Sequence, residues 1–385
     1  DDISELLRKN KNLPEIDVEI RPDDVASICV TSGTSGASKL VVVTEENYAF
    51  AINAQSKMFK LEGEPMQLLP LHHSFGLVPS MLVVYNYGYT NFIAKSIKSF
   101  IKDLHTVRPK ALALVPLFVE KMYKQVMDNA RKRGIEKKMA RAMKISDFLL
   151  KYGIDLRRRL FKDIHRAFGR NLEVIICGGA ALRPELVKDF RTWGIEIVQG
   201  YGATECTPVI AMNRNEYNRA GSVGIALPDT EIKLSEDGEI LVKGPHVMRE
   251  YYGDPEQTAQ TLVDGWYHTG DYGKFDEDNF LYIVGRKKNL IILSNGENVS
   301  PEELELEISK DLAVNEVLVY DKDNLIIAEI FPEEEYLGNK EHFDAVVAKI
   351  NNEQPSYKRI AKVILRDTEF IKNSSKKIVR SKNIT

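Results

Sequence analysis

The chain has 385 residues, 43% of them hydrophobic and 28% charged, with a net charge of -3 at pH 7. That length and composition suit two or three globular domains and exclude a disordered, collagenous or strongly basic nucleic-acid-binding chain. Three scattered cysteines, Cys29, Cys177 and Cys206, are too few for a disulfide framework, so a reducing, cytoplasmic setting is expected.

An apolar run at residues 26–30 reads as a strand. It leads directly into Thr31-Ser32-Gly33-Thr34-Ser35-Gly36-Ala37-Ser38-Lys39. Glycines allow close backbone approach, hydroxyls donate to phosphate oxygens, and Lys39 adds a compact mobile cation, which together suit a polyphosphate. The Walker spacing fails, because two residues separate Gly33 from Gly36 and Leu40 follows the lysine. For this string alone, a polar turn between strands is the commoner reading.

Strand-like runs at 26–30, 111–115, 172–176 and 195–199, with helical patterns such as 116–130 and 184–193 between them, predict a parallel α/β sheet. After about residue 221 short strands and turns follow, at 231–234, 239–242 and 280–284, and read as antiparallel β. From 289 onward, helices at 302–309 and 342–352 with a strand pair at 314–320 and 325–331 predict a small α+β unit. The basic string Gly285-Arg286-Lys287-Lys288 is the expected boundary. The fold class is therefore α/β: a large domain at 1–285, with parallel sheets, helices and a β-rich subregion at 221–285, then a hinge and a small mobile α+β domain at 286–385.

Residues 131–170 carry fourteen Lys/Arg against four Asp/Glu. A solvated helical face is the commoner explanation, and an electrostatic surface for anionic lipid or a phosphorylated acceptor is the alternative. No apolar run reaches the roughly 20 residues that span a bilayer. Cytoplasmic placement with peripheral contact at the inner membrane surface is the expectation.

Further strings fall in line behind the first loop: Gly178-Gly179-Ala180-Ala181-Leu182, Gln199-Gly200-Tyr201-Gly202-Ala203-Thr204-Glu205, Trp266-Tyr267-His268-Thr269-Gly270-Asp271, Gly285-Arg286-Lys287-Lys288 and Lys376-Lys377-Ile378-Val379-Arg380. Their order and spacing resemble the adenylate-forming superfamily of acyl-CoA synthetases, luciferases and peptide-synthetase adenylation domains. Within it the chain most nearly resembles bacterial long-chain fatty acyl-CoA synthetases, from about Val25 to the C-terminus, with Arg108-Pro109, Val115-Pro116-Leu117 and Glu120-Lys121 adding to that likeness.

The resemblance implies ATP, Mg²⁺ and CoA as reactants, a fatty acid as substrate, and no nucleic acid. It implies that Thr31, Ser32, Gly33, Thr34, Ser35, Gly36 and Lys39 hold phosphates, and that Thr34 and Glu205 approach the metal, a hard cation that prefers oxygen. Gly178, Gly179, Ala180, Gln199, Gly200, Tyr201 and Gly202 would surround the purine, with Tyr201 offering its ring face. Thr204 would meet the α-phosphate, His73 would border the acyl carboxylate, and Asp271, in a Thr-Gly-Asp turn, would accept the ribose hydroxyls beside Arg286. Lys288 would be the hinge, Lys377 the catalytic cation, and Gly296, Glu297 and Asn298 the CoA-side face. Core packing is the expected role of Cys177 and Cys206. The paired His72 and His73 lack nearby acidic or thiol ligands, and adjacent side chains usually diverge, so they are not read as a metal site.

Three positions depart from the family pattern, which has Gly at Leu40, Pro at Ile371 and Gly at Lys376. Family members carry a long segment ahead of the phosphate loop where about thirty residues stand here, so the expectation is an N-terminally incomplete chain. Two alternatives accompany the ligase reading: a nucleotide-binding fragment with little turnover, and a ligase that delivers to acyl carrier protein or releases the acyl-adenylate.

Overall fold

The computed structural model of the chain describes residues 18–32, 38–215, 217–293, 296–372 and 378–384. At the centre of these residues lies a seven-stranded sheet. Its spatial order is Phe92–Ile93, Pro65–Gln67, Ala111–Leu114, Val174–Gly178, Glu196–Gly202, Val209–Met212 and Ile225–Ala226. The first five strands are parallel. Val209–Met212 runs antiparallel to Glu196–Gly202, because too few residues separate Gly202 from Val209 for a crossover, and Ile225–Ala226 pairs antiparallel with it in turn.

Continuous aliphatic runs predict strands buried on both faces, and Leu112, Leu114, Ile175 and Ile197 are fully buried. The helices Pro116–Lys132 and Pro184–Trp193 pack Val119, Leu186, Phe190 and Trp193 on one face. Each opens on a proline, where the missing N–H is no loss, and Gly194 ends the second in the left-handed conformation that glycine tolerates. The helix Glu45–Met58 covers the other face, with Ala54 and Met58 against Val198 and Met212. Its first turn is closed by a reciprocal cap between Thr44 and Asn47.

The run at 26–30 does not join the parallel sheet. Val25–Ser32 pairs antiparallel with Ser38–Thr44, ending at the Ser32–Ser38 pair, and Glu250–Tyr251 adds a third strand. Parallel pairing needs a crossover of a dozen or more residues, and the stretch between Ser32 and Ser38 is far shorter. The candidate phosphate loop therefore joins the two arms of a hairpin.

Antiparallel β at 231–284 is present as a five-stranded sheet of Glu231–Leu234, Glu239–Lys243, Trp266–Phe275, Leu262–Val263 and Leu281–Arg286. Its centre is the strand Trp266–Phe275, which pairs with three others. Asp271 thus sits inside a strand and not in a free turn. Gly270, at φ +70°, takes up the extra residues of a register shift against Glu239–Lys243, a bulge that local sequence reads as a turn.

The C-terminal part has its own core of Leu304, Val319, Ile330 and Phe343, all fully buried. Val314–Lys322 and Leu325–Pro332 form a hairpin whose two turn residues, Asp323 and Asn324, both have positive φ. Lys362–Leu365 adds in parallel, and the helices Pro301–Ile308 and Lys340–Glu353 complete the unit.

Candidate functional site

The carboxyl ends of parallel strands are where α/β sheets bind ligands. There Gly178 pairs with Gly200 across adjacent strands. A Cβ on Gly178 would stand 3.3 Å from the Gly200 carbonyl oxygen and 3.4 Å from the Phe75 ring, so both glycines keep this edge bare. Gly179 turns away at φ +89° and leaves Ala180 exposed. Gln199 is buried just before, and its side-chain oxygen has no hydrogen-bond partner among the described residues. Gly202 has a backbone reason of its own, since a Cβ there would collide with the Pro208 carbonyl. Its primary task is to let the strand reverse.

The short turn Thr204–Cys206 follows. Thr204 Oγ1 lies 3.3 Å from Ser74 Oγ, which places the His72–His73 segment beside it. The His72 and His73 rings are 4.4 Å apart and tilted by 45°, so these neighbours pack together where divergence is expected. Tyr251 donates its hydroxyl to Glu205 Oε1 at 2.8 Å, and the Met248 amide donates to the Glu205 carbonyl at 2.7 Å. Burial, then the Glu205 charge, pushes the Tyr251 phenol well above its usual range, so it remains a donor. Lys39 Nζ stands 4.6 Å above the Tyr251 ring. One tyrosine, on a strand paired with Ser38–Thr44, therefore connects the hairpin cation to the turn carboxylate.

On the other side, Tyr201 donates its hydroxyl to Asp271 Oδ2 at 2.8 Å, and Arg286 Nε reaches Asp271 Oδ1 at 2.9 Å. Asp271 and Arg286 face each other across paired strands. Both oxygens of this buried carboxylate are engaged by protein, so accepting a ribose hydroxyl means exchanging one partner. Tyr201 acts here through its hydroxyl, and not only through a ring face. Burial, with Asp271 beside it, drives its phenol well above the ordinary value.

The basic boundary string turns at Lys287–Asn289. Lys287 is held by Asp237 at 2.7 Å and Glu239 at 3.0 Å. Burial, with the Arg286 charge added, keeps the Lys288 ammonium below its usual range. Gly296, Glu297 and Asn298 are exposed on a separate small hairpin formed by Ile291–Ile292 and Asn298–Val299. Gly33, Thr34, Ser35, Gly36 and Lys377 lie outside the described residues, and of Ser32 only the backbone pairing is described. Thr31 pairs with Lys39. Downstream of Lys377, Arg380 is anchored to Glu305 at 2.5 Å and to the Val319 carbonyl at 2.7 Å.

Cys177 and Cys206 are buried, and burial pushes both thiols well above their ordinary value, which leaves no nucleophilic thiolate. Among the described residues no group of three or more His, Cys, Asp or Glu converges. A magnesium ion carried on phosphates needs only one or two carboxylates, and the partly exposed Glu205 suits that donor set. Sequence reasoning missed Tyr251 and Ser74. Glu250-Tyr251-Tyr252-Gly253 offers a strand-then-turn signal, but only the fold brings Tyr251 to Glu205.

The AMP-binding enzyme family matches residues 2–252, and the AMP-binding enzyme C-terminal domain matches residues 288–385. The chain belongs to this family, and its fold is that of the adenylate-forming enzymes. It is similar to long-chain-fatty-acid–CoA ligase FadD15 of Mycobacterium bovis, 30% identical over 317 residues, which cover 78% of this chain and 53% of that protein. It is 29% identical to human long-chain-fatty-acid–CoA ligase 1 over 361 residues, 87% of this chain and 51% of that one. The chain thus spans about half the length of the curated relatives it matches. O-succinylbenzoate coenzyme A synthetase from Bacillus subtilis, solved with ATP and a magnesium ion, superposes with a TM-score of 0.73 at 25% identity, over 96% of this chain and 72% of that one.

Proposed function

We propose that the chain carries the nucleotide-binding and hinge portions of an AMP-forming long-chain fatty acid–CoA ligase. A carboxylate oxygen of the acid attacks the α-phosphorus of ATP, the bond to the β-phosphate bridging oxygen breaks, and pyrophosphate leaves. The CoA sulfur then attacks the acyl carbon, gives up its proton, and AMP departs. The observation that carries the reading is the convergence, near the carboxyl ends of the parallel strands, of two contact sets anchored three positions apart at Tyr201 and Thr204: Tyr201–Asp271–Arg286, and Ser74–Thr204 with Glu205–Tyr251–Lys39.

In this reading Thr204 donates to an α-phosphate oxygen, Asp271 and Arg286 orient the ribose, His73 borders the acid, and the loop from Thr31 to Lys39 cradles the outer phosphates. A magnesium ion arriving with the triphosphate would be held by Glu205 and Thr34 and would neutralise phosphate charge. Both reactants are anions, so positioning and charge neutralisation do the work, and no enzyme nucleophile is needed. Lys377 supplies the remaining cation when the part beyond Lys288 swings about that residue, and the Gly296–Asn298 face then meets CoA.

Beyond Lys288, the ion pairs Lys124–Glu333 at 2.5 Å and Lys310–Glu185 at 3.4 Å tie the C-terminal part to the rest, and they lie near the surface, where each is worth about 0–1 kcal/mol and opposes such a swing little. A cytoplasmic location accompanies the reading. Delivery of the acyl group to a carrier protein is the same chemistry with another thiol.

ATP calorimetry beside fatty-acid-dependent pyrophosphate exchange tests the proposal. Binding together with exchange that rises with acyl chain length is expected. Binding without exchange for any carboxylate would replace the ligase by a nucleotide-binding module, and absence of binding would end the nucleotide reading.

A further inference from the structure

The basic stretch at 131–170 has a geometry that a charge count does not reveal. The helix Glu136–Lys151 packs Met139, Ala142 and Met143 against the main core, and Ser146 Oγ donates to the Thr192 carbonyl at 3.1 Å. Asp147 accepts from Thr192 Oγ1 at 2.7 Å. These contacts fix the inner side of the helix. The helical period puts Lys137, Arg141, Lys144, Phe148 and Lys151 in one row on the outer side, with Lys138, Ile145 and the following Tyr152 beside them. All eight are exposed. No acidic residue lies in either row: Glu136 and Asp147 sit on the flank, where Glu136 is 3.7 Å from Arg131 and Asp147 is held by Thr192.

The apolar members of this face are far out in solvent: Ile145 is 52% exposed, Phe148 58% and Tyr152 69%. Phe148 and Tyr152 meet at a tilt, with ring centroids 5.1 Å apart. Exposed aromatic and aliphatic side chains grouped in this way mark an interaction surface. Interleaving with lysine and arginine specifies its chemistry, since long cationic stems lie along apolar surface while their heads reach outward to phosphate. We propose that the outer face of this helix docks flat on an anionic lipid bilayer, with Ile145, Phe148 and Tyr152 entering the headgroup–acyl boundary and the five cations on lipid phosphates. An acidic protein groove would satisfy the cations without calling for three solvated apolar side chains in the same two rows.

The test uses the whole 385-residue chain and co-sedimentation with vesicles, one set of phosphatidylcholine alone and one of phosphatidylcholine mixed with phosphatidylglycerol. It reads binding without turnover, so its result is independent of the adenylation proposal. Binding to the mixed vesicles only is expected. Lys137→Gln/Arg141→Gln/Lys144→Gln should weaken it on the order of 10²-fold, as the loss of three surface cations implies. Phe148→Ser/Tyr152→Ser should weaken it at least tenfold, whereas Lys349→Gln/Arg359→Gln/Lys362→Gln, with the same change in charge elsewhere, should change it less than twofold. A Phe148→Trp variant should shift its emission to the blue on the mixed vesicles. Equal losses for the two triple variants, full binding by the Phe148/Tyr152 variant, or an unshifted emission from the bound Phe148→Trp variant would each overturn the proposal, as would failure of the parent chain to bind.

Discussion

His246 is fully buried, its ring stacks on Phe50 at 5.4 Å, and neither ring nitrogen has a hydrogen-bond partner among the described residues. Burial pulls its pKa from the ordinary 6.5 down to about 4. A histidine with a depressed folded pKa contributes stability that is present above 6.5 and lost as pH falls toward 4, because the unfolded chain takes up the proton first. That separation of the two values corresponds to roughly 3 kcal/mol in full, and about 2 kcal/mol of it disappears between pH 7 and about pH 4.5. The same loop braces the site: Thr207 Oγ1 donates to the His246 carbonyl at 2.9 Å, and Met248 holds Glu205. Chemical denaturation followed by tryptophan emission reads this part of the chain, since both tryptophans, Trp193 and Trp266, lie there. His246→Leu should flatten the acid loss by about 2 kcal/mol relative to the parent, whatever its effect at pH 7. Parallel pH profiles for the two proteins would refute the reasoning.

Tyr251→Phe removes the donor to Glu205 and should weaken magnesium-dependent ATP binding several-fold, by about 1 kcal/mol, while leaving magnesium-free nucleotide binding unchanged; calorimetry with and without the metal decides. Asp271→Asn should weaken AMP and ATP about equally, and should also loosen Tyr201 and Arg286, so an unchanged nucleotide dissociation constant would remove Asp271 from the site. Gly202→Ala forces a methyl into the Pro208 carbonyl, and its melting temperature should fall well below that of an Ala180→Ser control at the exposed neighbouring edge. Lys377→Ala should lower pyrophosphate exchange on the order of 10²- to 10³-fold with ATP affinity little changed, as loss of one preorganised cation implies.

Much of the fold is legible in sequence where one local signal decides it. The helix Pro184–Trp193 carries its proline at the start and Gly194 at the end, and its bounds agree with the expectation at both ends. The strands at 111–114, 174–178 and 196–202 announce themselves by aliphatic runs that burial on both faces requires. The partner of a strand is less visible: residues 25–32 have the same texture, and only the short connection to Ser38 sends them into a hairpin. Trp266–Phe275 is opaque because Gly270 and Gly273 imitate a turn, although three strands pair with it. At the site, Thr204, Glu205, Tyr201 and Asp271 are conspicuous through their glycine-rich settings. Tyr251 is not, because its importance arises from a pairing between segments far apart in the chain. The outer face of Glu136–Lys151 is visible in sequence as charge, and its apolar half emerges only once the helix has an inside.

The strand Glu250–Tyr251 is two residues long, yet it clips the hairpin carrying Lys39 and reaches the turn carboxylate with the same side chain. Under the proposed function, grafting the 31–39 segment into a foreign scaffold would therefore carry over its hydroxyls and Lys39 without their alignment to Glu205, unless that remote tyrosine clip were moved with it.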